Sequence, residues 1–476
     1  MKRLTIQILM LTLFVTVVVG QGLQNAEIDG NWTGAIEVSG IKFRLTFKIS
    51  KTVDGYGAKF DSTDQGLTDL DVDTVTRDGD RVKFEAKKFG FTYEGKLNPT
   101  GDELNGTFRQ GAATWPLVLK RVTEVPTLNR RQDPQKPYPY SEEEVSYRNE
   151  KDNVKLVGSL TLPRTSGTHP AVILISGSGS QDRNETVAGH RPFLVLSDYL
   201  TRNGIAVLRV DDRGVGGSDL GSPTATSENY ADDVLAGIHF LKNRKEINPK
   251  LIGLIGHSEG GMIAPMVAAQ SNDVAFIVLL AGMGQRGEDV IYTQTELIQK
   301  ADGLSPEVTA RTVGVLKRIN AIVTTQSDEQ QLDRLIRAEF TATVAALTEP
   351  QRKAFAPVES TLKGLMPMFS VPWYRYFITF DPAPVLRKVK IPVLALNGEL
   401  DLQVSWKQNL HLIEMALKEG KNSDVTVMSF PKLNHLFQTS QTGALSEYAE
   451  IEETMSPQVL KTISEWILKR TTVTAN

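Results

Sequence analysis

Hydrophobic and polar positions follow two rhythms along the chain, and the change between them divides the sequence. Over residues 31–121, short runs read apolar, polar, apolar, as in Phe43-Arg44-Leu45-Thr46-Phe47-Lys48-Ile49, with turn residues such as Asp54-Gly55 between them. A period of two places every second side chain on one buried face, which predicts antiparallel strands. Further runs at 81–85, 91–95, 104–108 and 115–119 bring the expectation to about seven or eight short strands without a good helix. A small all-β domain, barrel or sandwich, is therefore expected over residues 25–122.

The polar stretch 123–141 carries Pro126, Pro134, Pro137 and Pro139 beside Arg130 and Arg131, and reads as a semi-rigid linker. Beyond it the pattern becomes apolar runs at 171–175, 205–210, 251–255, 275–280 and 392–396, separated by helical segments. Strands apolar on both faces belong to a parallel sheet covered by helices on each side. An α/β domain is expected over residues 142–476, interrupted at 285–380 by amphipathic helices that end in an aromatic group containing Trp373, Tyr374 and Tyr376. Such an insertion predicts a cap over the carboxyl ends of the strands, where ligands bind in open α/β sheets. The aromatics either line that ligand site or pack the cap onto the domain beneath.

Composition narrows the functional classes. A chain of 476 residues exceeds what one core fills, so two domains, or one domain with large insertions, are expected. The 40% hydrophobic and 23% charged residues describe an ordinary globular protein, and a net charge of only -3 is not the basic excess that favours nucleic acid or anionic membrane surfaces as partners. Lys2 and Arg3 precede the uncharged apolar run 4–19, with Gly20 behind it, which is the layout of a signal peptide over residues 1–20. An uncleaved anchor is the alternative, although the run is shorter than the ~20 residues of a spanning helix. A secreted or periplasmic protein without stable membrane insertion after cleavage is expected. The chain has no cysteine, so its stability comes from packing alone.

The strongest chemical signal is Gly256-His257-Ser258-Glu259-Gly260-Gly261, which follows the apolar strand 251–255 and precedes a small-residue helix. G-x-S-x-G in a strand-turn-helix setting is a nucleophile elbow. It presents Ser258 at the sheet edge and directs the NH of Glu259 toward a developing oxyanion. A serine hydroxyl needs a neighbouring base, and the base needs an orienting carboxylate. Asp401 and Glu399 follow the strand at 391–396; Asp401 is favoured because Glu399 sits nearer the strand end and because the Gly-x-x-Asp-x-x-Val spacing around it resembles members of a known hydrolase family. Of six histidines, His435 alone lies on a loop directly after a late strand, 426–430, whereas His257 sits inside the elbow and faces away. The loop Ser176-Gly177-Ser178-Gly179-Ser180-Gln181-Asp182-Arg183 follows an earlier strand and offers Ser178 as the second oxyanion donor. A phosphate loop would need a third glycine or a lysine that this segment lacks. The segment Arg209-Val210-Asp211-Asp212-Arg213-Gly214 reads as a structural turn whose charges pair locally. No His, Asp or Glu cluster has metal-ligand spacing, so neither metal nor cofactor is expected.

Together with Asn434-His435, these motifs make residues 141–476 resemble bacterial α/β-hydrolases of the carboxylesterase type. With Trp32-Thr33-Gly34 and Asp61-Ser62-Thr63-Asp64-Gln65-Gly66, the amino-terminal region resembles the small β domain of two-domain secreted esterases of the EstD kind. The resemblance implies an α/β-hydrolase fold and hydrolysis of small carboxylic esters, with short acyl chains, through an acyl-enzyme. Many relatives with an HG-type oxyanion loop carry His where this chain has Ser176. Two other readings stand beside it: a serine peptidase of the prolyl-oligopeptidase type, and a ligand-binding protein with an incidental hydrolase site. The acyl preference and the oligomeric state are not legible in the sequence.

Overall fold

The structure, a computed structural model, describes residues 27–38, 41–65, 67–111, 113–125 and 129–471. The expected signal peptide at 1–20 lies outside the described residues. Among those described, no helix is long and apolar enough to cross a membrane. Two compact units are present.

The first is a closed barrel of eight strands in sequential order: β1 (Gly30–Val38), β2 (Ile41–Thr52), β3 (Gly55–Ser62), β4 (Leu67–Asp78), β5 (Arg81–Ala86), β6 (Phe91–Leu97), β7 (Glu103–Gln110) and β8 (Ala113–Val122). Antiparallel pairing of Asn31 with Val122 and Thr33 with Lys120 joins β1 to β8 and completes the ring. The alternation seen in the sequence explains the interior, because one side of each strand faces inward. Phe47 and Phe84 stack with ring centroids 4.5 Å apart, and Phe60 and Phe91 approach to 4.6 Å. The polar tips of buried aromatics are matched. Trp32 Nε1 donates to the Ile28 carbonyl at 2.7 Å and the Tyr93 hydroxyl to that of Leu104 at 2.9 Å.

The second unit holds one mixed sheet of β9 (Ser141–Asn149), β10 (Val154–Leu162), β11 (His169–Ile175), β12 (Ala206–Val210), β13 (Ile247–His257), β14 (Phe276–Leu280), β15 (Val393–Gly398) and β16 (Val425–Phe430). Across the sheet the order is β16-β15-β14-β13-β11-β12-β10-β9. Six strands run parallel, and β10 and β9 add an antiparallel margin. Helices α1 (Pro192–Arg202), α2 (Ser227–Lys242) and α3 (Gly260–Ala268) precede the insertion. The insertion comprises α4 (Gly287–Ala301), α5 (Pro306–Thr325), α6 (Glu329–Ala345), α7 (Glu349–Phe369) and α8 (Pro372–Thr379). After it come α9 (Pro382–Leu386), α10 (Trp406–Glu419) and α11 (Pro457–Thr471).

Two cores flank this sheet, as the apolar runs require. Val172, Leu174 and Val207 pack with Phe193 and Leu200 of α1 and Ile463 and Ile467 of α11. Their neighbours Ala171, Ile173 and Leu208 face α2 and α3 on the other side, through Ile238, Leu241 and Ile263. This is the α/β-hydrolase fold, preceded by a β barrel. The segment expected to be a spacer behaves differently from Asn129 onward. Arg130 donates to the carbonyls of Ile451 at 2.8 Å and Ala188 at 3.0 Å, and Gln132 to Met455 at 2.7 Å, so these residues are strapped to the α/β body.

The barrel interior yields a stability prediction. Phe47 is fully buried among Phe60, Phe84, Phe91 and Tyr93, so Phe47→Ala leaves a cavity that neighbouring rings cannot fill. Guanidinium unfolding of that variant is expected to show a loss of roughly 3–5 kcal/mol in the barrel transition.

Candidate active site

The elbow forms where β13 runs into α3, and its backbone is forced. Ser258 has φ of +53°, a left-handed value that costs a non-glycine residue energy and persists only when the surroundings fix it. Here they do. The Ser258 NH donates to the Leu280 carbonyl at 2.9 Å, and the Ser258 carbonyl accepts from Gly261 at 2.9 Å. A Cβ at Gly256 would lie 2.0 Å from the Gly260 oxygen, and one at Gly260 would lie 2.1 Å from the Ile175 oxygen, so neither position admits a side chain.

The loops after β15 and β16 meet beside this turn. His435 Nδ1 donates to Asp401 Oδ2 at 2.8 Å, and both side chains are buried. The other Asp401 oxygen accepts the NH groups of Gln403 and Val404, each at 2.8 Å, which fixes the carboxylate beside the ring. Glu399 turns away and accepts from Ser429 at 2.8 Å. Asn434 shapes the histidine loop through its Oδ1, which accepts from Leu436 and Gln438 at 3.0 Å. His435 reaches the elbow through His257, whose ring centroid is 4.7 Å from its own and whose Nε2 donates to the His435 carbonyl at 3.0 Å. With Nδ1 engaged by Asp401, His435 Nε2 is left as the acceptor nitrogen. The Ser258 hydroxyl itself makes no hydrogen bond among the described residues, the loose geometry common before substrate arrives.

The loop after β11 completes the arrangement. A Cβ on Gly177 would lie 3.2 Å from the Ser258 Cβ, which places that loop directly beside the nucleophile. The Gly177 NH donates to Glu185 at 2.7 Å. Among the described residues, the NH groups of Ser178 and Glu259 have no such acceptor.

Three carboxyl groups that sequence reasoning did not place surround this loop. Asp212 accepts from the Ser176 hydroxyl at 2.9 Å and the Gln181 NH at 2.9 Å, and burial pushes its pKa up to about 7 against those two hydrogen bonds. Glu185 takes the Gly177 NH and faces His257 Nδ1 at 2.9 Å. The Glu259 carboxyl accepts from Ser227 at 2.6 Å and from Trp373 Nε1 at 2.8 Å. Burial raises the Glu259 pKa, opposed by hydrogen bonds from Ser227, Trp373 and Ser178. A cavity of about 60 Å³ lies beneath, lined by Gly177, Asp212, Tyr230 and Glu259 among others.

The turn after β12 is thus more than a local structural feature. Its charges pair across the sequence: Asp211 holds Arg183 in a two-pronged contact at 3.0 and 2.7 Å, and Arg213 reaches Asp152 and Asp233, each at 2.6 Å. Of the three aromatic residues expected at a ligand site, only Trp373 touches the elbow. Tyr374 is fully buried inside the cap, its hydroxyl donating to Asn320 at 2.8 Å, because its position on α8 points into the helix bundle. Tyr376 lines a different cleft, of about 490 Å³, with Glu228, Met266 and Phe380, and no member of the Ser258, Asp401 and His435 group borders it.

Residues 152–429 match the family described as X-Pro dipeptidyl-peptidase (S15 family). Esterase EstD of Thermotoga maritima is 26% identical over 318 residues, 66% of this chain and 66% of its own length. A thiohydrolase of Aspergillus aculeatus is 30% identical over 168 residues, 34% of this chain and 49% of its length. Among solved structures, an esterase of Pyrococcus furiosus gives a TM-score of 0.41 at 19% identity, covering 70% of this chain and 91% of that one.

Two outcomes test this geometry. Gly260→Ala drives a methyl into the Ile175 carbonyl and is expected to lower hydrolytic kcat/KM on the order of 100-fold or more, measured beside a melting curve. The folded protein keeps the Asp212 proton up to about pH 7, whereas the unfolded chain releases it near 3.8, so this group's stabilisation is lost as pH rises across that window. In Asp212→Asn the Tm difference from the parent should therefore grow more favourable to the variant from about pH 4 to about pH 7, and then level off.

Proposed function

The chain belongs to the X-Pro dipeptidyl-peptidase (S15) family, and on that footing we propose that it is a serine carboxylesterase acting on small esters with short acyl chains. The observation that carries the reading is the His435–Asp401 pair packed against an elbow whose serine is held at a positive φ. The mechanism follows from the roles these positions allow. Ser258 Oγ attacks the ester carbonyl carbon while His435 Nε2 takes its proton, and Asp401 supports the imidazolium that forms. The negative charge on the carbonyl oxygen is met by the NH groups of Glu259 and Ser178, aided by the amino end of α3. Collapse of the tetrahedral intermediate breaks the bond to the alcohol, which leaves with the proton from His435. Water, deprotonated by His435, then attacks the acyl carbon, and collapse of this second intermediate breaks the bond to Ser258 Oγ, which recovers the proton from His435 as the acid leaves. Trp373, half-buried at the elbow, is positioned to meet the substrate from the cap side.

The esterase named among the relatives supports ester chemistry, and the family's own name supports a second reading, cleavage of a peptide after an X-Pro pair. Lys2 and Arg3 ahead of the apolar run 4–19 support export, with a secreted or periplasmic location and removal of residues 1–20.

Ser258→Ala is expected to reduce p-nitrophenyl acetate and butyrate hydrolysis on the order of 10⁴-fold or more without changing the melting curve, and to abolish fluorophosphonate labelling. Residual activity within about tenfold of the parent sinks the assignment of Ser258. Turnover of an X-Pro aminoacyl amide at a higher kcat/KM than any acyl ester gives the peptidase reading the lead.

A further inference from the structure

His257 and Glu185 are two buried, ionisable side chains that the hydrolytic steps do not use, and their contacts converge on all three parts of the site. Glu185 Oε1 accepts the Gly177 NH at 2.7 Å and faces His257 Nδ1 at 2.9 Å. His257 Nε2 meets the carbonyl oxygen of His435 at 3.0 Å. Both ring nitrogens of His257 therefore point at acceptors, one a carboxylate and one a carbonyl. Facing a carboxylate and a carbonyl, an imidazole satisfies both only when both nitrogens carry protons, which makes the ring an imidazolium balanced by an ionised Glu185. Burial opposes that charge, but the adjacent Glu185 carboxylate and the His435 carbonyl outweigh it and raise the His257 pKa above the ordinary histidine value.

The backbone carries a second sign of constraint. Glu185 has φ of +52°, which a glutamate adopts at a cost, and its own NH is held by the Asp182 carbonyl at 2.8 Å. The loop spends that strain to aim one carboxylate at Gly177 and His257 together.

We propose that Glu185 and His257 form a positioning pair that sets the oxyanion loop and the base loop against Ser258. This rests on the esterase reading of Ser258, Asp401 and His435. The loop carrying Ser178 is held by Glu185 through Gly177, the elbow contributes His257 itself, and the base loop is pinned through the His435 carbonyl. The other charged groups facing the pair are Asp401 on the His257 side and Asp212 on the Glu185 side, with Glu259 beyond it.

Three measurements decide the matter. In ¹⁵N-histidine NMR of the parent protein, one of the six rings should remain protonated on both nitrogens at pH values where an unperturbed histidine has become neutral, and that signal should vanish in His257→Gln. A neutral His257 ring at those pH values overturns the proposal, whatever the protein hydrolyses. Glu185→Gln keeps an acceptor for Gly177 but removes the charge that holds the imidazolium. In that variant the doubly protonated ring signal of His257 should be lost at lower pH than in the parent. Glu185→Ala frees the loop and should lower kcat about 10- to 100-fold with KM within about threefold. An unmoved His257 ring signal in Glu185→Gln, or a parental kcat in Glu185→Ala, overturns the proposal. Parent protein that fails to label at Ser258 counts against the esterase reading instead, and the NMR signal then still decides the pair.

Discussion

Everything at this site depends on a single turn that the chain would avoid if left alone. Ser258 sits in a left-handed conformation between a strand in the middle of the sheet and a helix that starts two residues later. The turn is stable because β13 lies between β11 and β14, so the Leu280 carbonyl is already in place to receive the serine NH. Glycines at 256 and 260 let strand, helix and the end of β11 come within contact of one another. The strain is local, and the apolar sheet with a helical layer on each face supplies the stability that sustains it.

Around that turn the protein concentrates carboxyl groups in a region from which water is largely removed. Asp401, Glu185 and Glu259 are buried and Asp212 is half-buried, and each is met by donors rather than left bare. Their partners differ in kind. Asp401 faces the histidine that takes part in proton transfer, while Asp212 and Glu185 hold the backbone of the loop that flanks the nucleophile. Glu259 joins the elbow to the cap through the Trp373 indole. A set of groups of one sign at such close quarters can be tolerated only because some of them keep their protons, which is the direction in which burial drives Asp212 and Glu259.

The legibility of these features in the sequence follows the range of the interactions. The central parallel strands could be read because burial on two faces demands uninterrupted apolar runs such as Ala171-Val172-Ile173-Leu174-Ile175. Strand β9 could not, since Ser141-Glu142-Glu143-Glu144 is polar and pairs at the sheet margin with a partner that the pattern alone does not name. Ser258 and its glycines form a short motif, and the loops holding Asp401 and His435 each follow a recognisable strand. Glu185 and Asp212 carry no such mark, because their partners come from loops up to 72 residues away. The aromatic run on α8 shows the limit in miniature. Adjacent positions on a helix point about 100° apart, so Trp373 meets Glu259 while Tyr374 enters the cap interior.

The amino-terminal unit has a property that follows from the pairing of Asn31 with Val122. An open sheet ends in a strand with bare NH and carbonyl groups, a template on which extended peptides or other copies can lay themselves down. A ring has no such margin. Any molecule this unit takes up must therefore be met by side chains at its rims or outer wall and not by strand addition, and growth into fibrils by edge-to-edge stacking is denied to it while it stays folded.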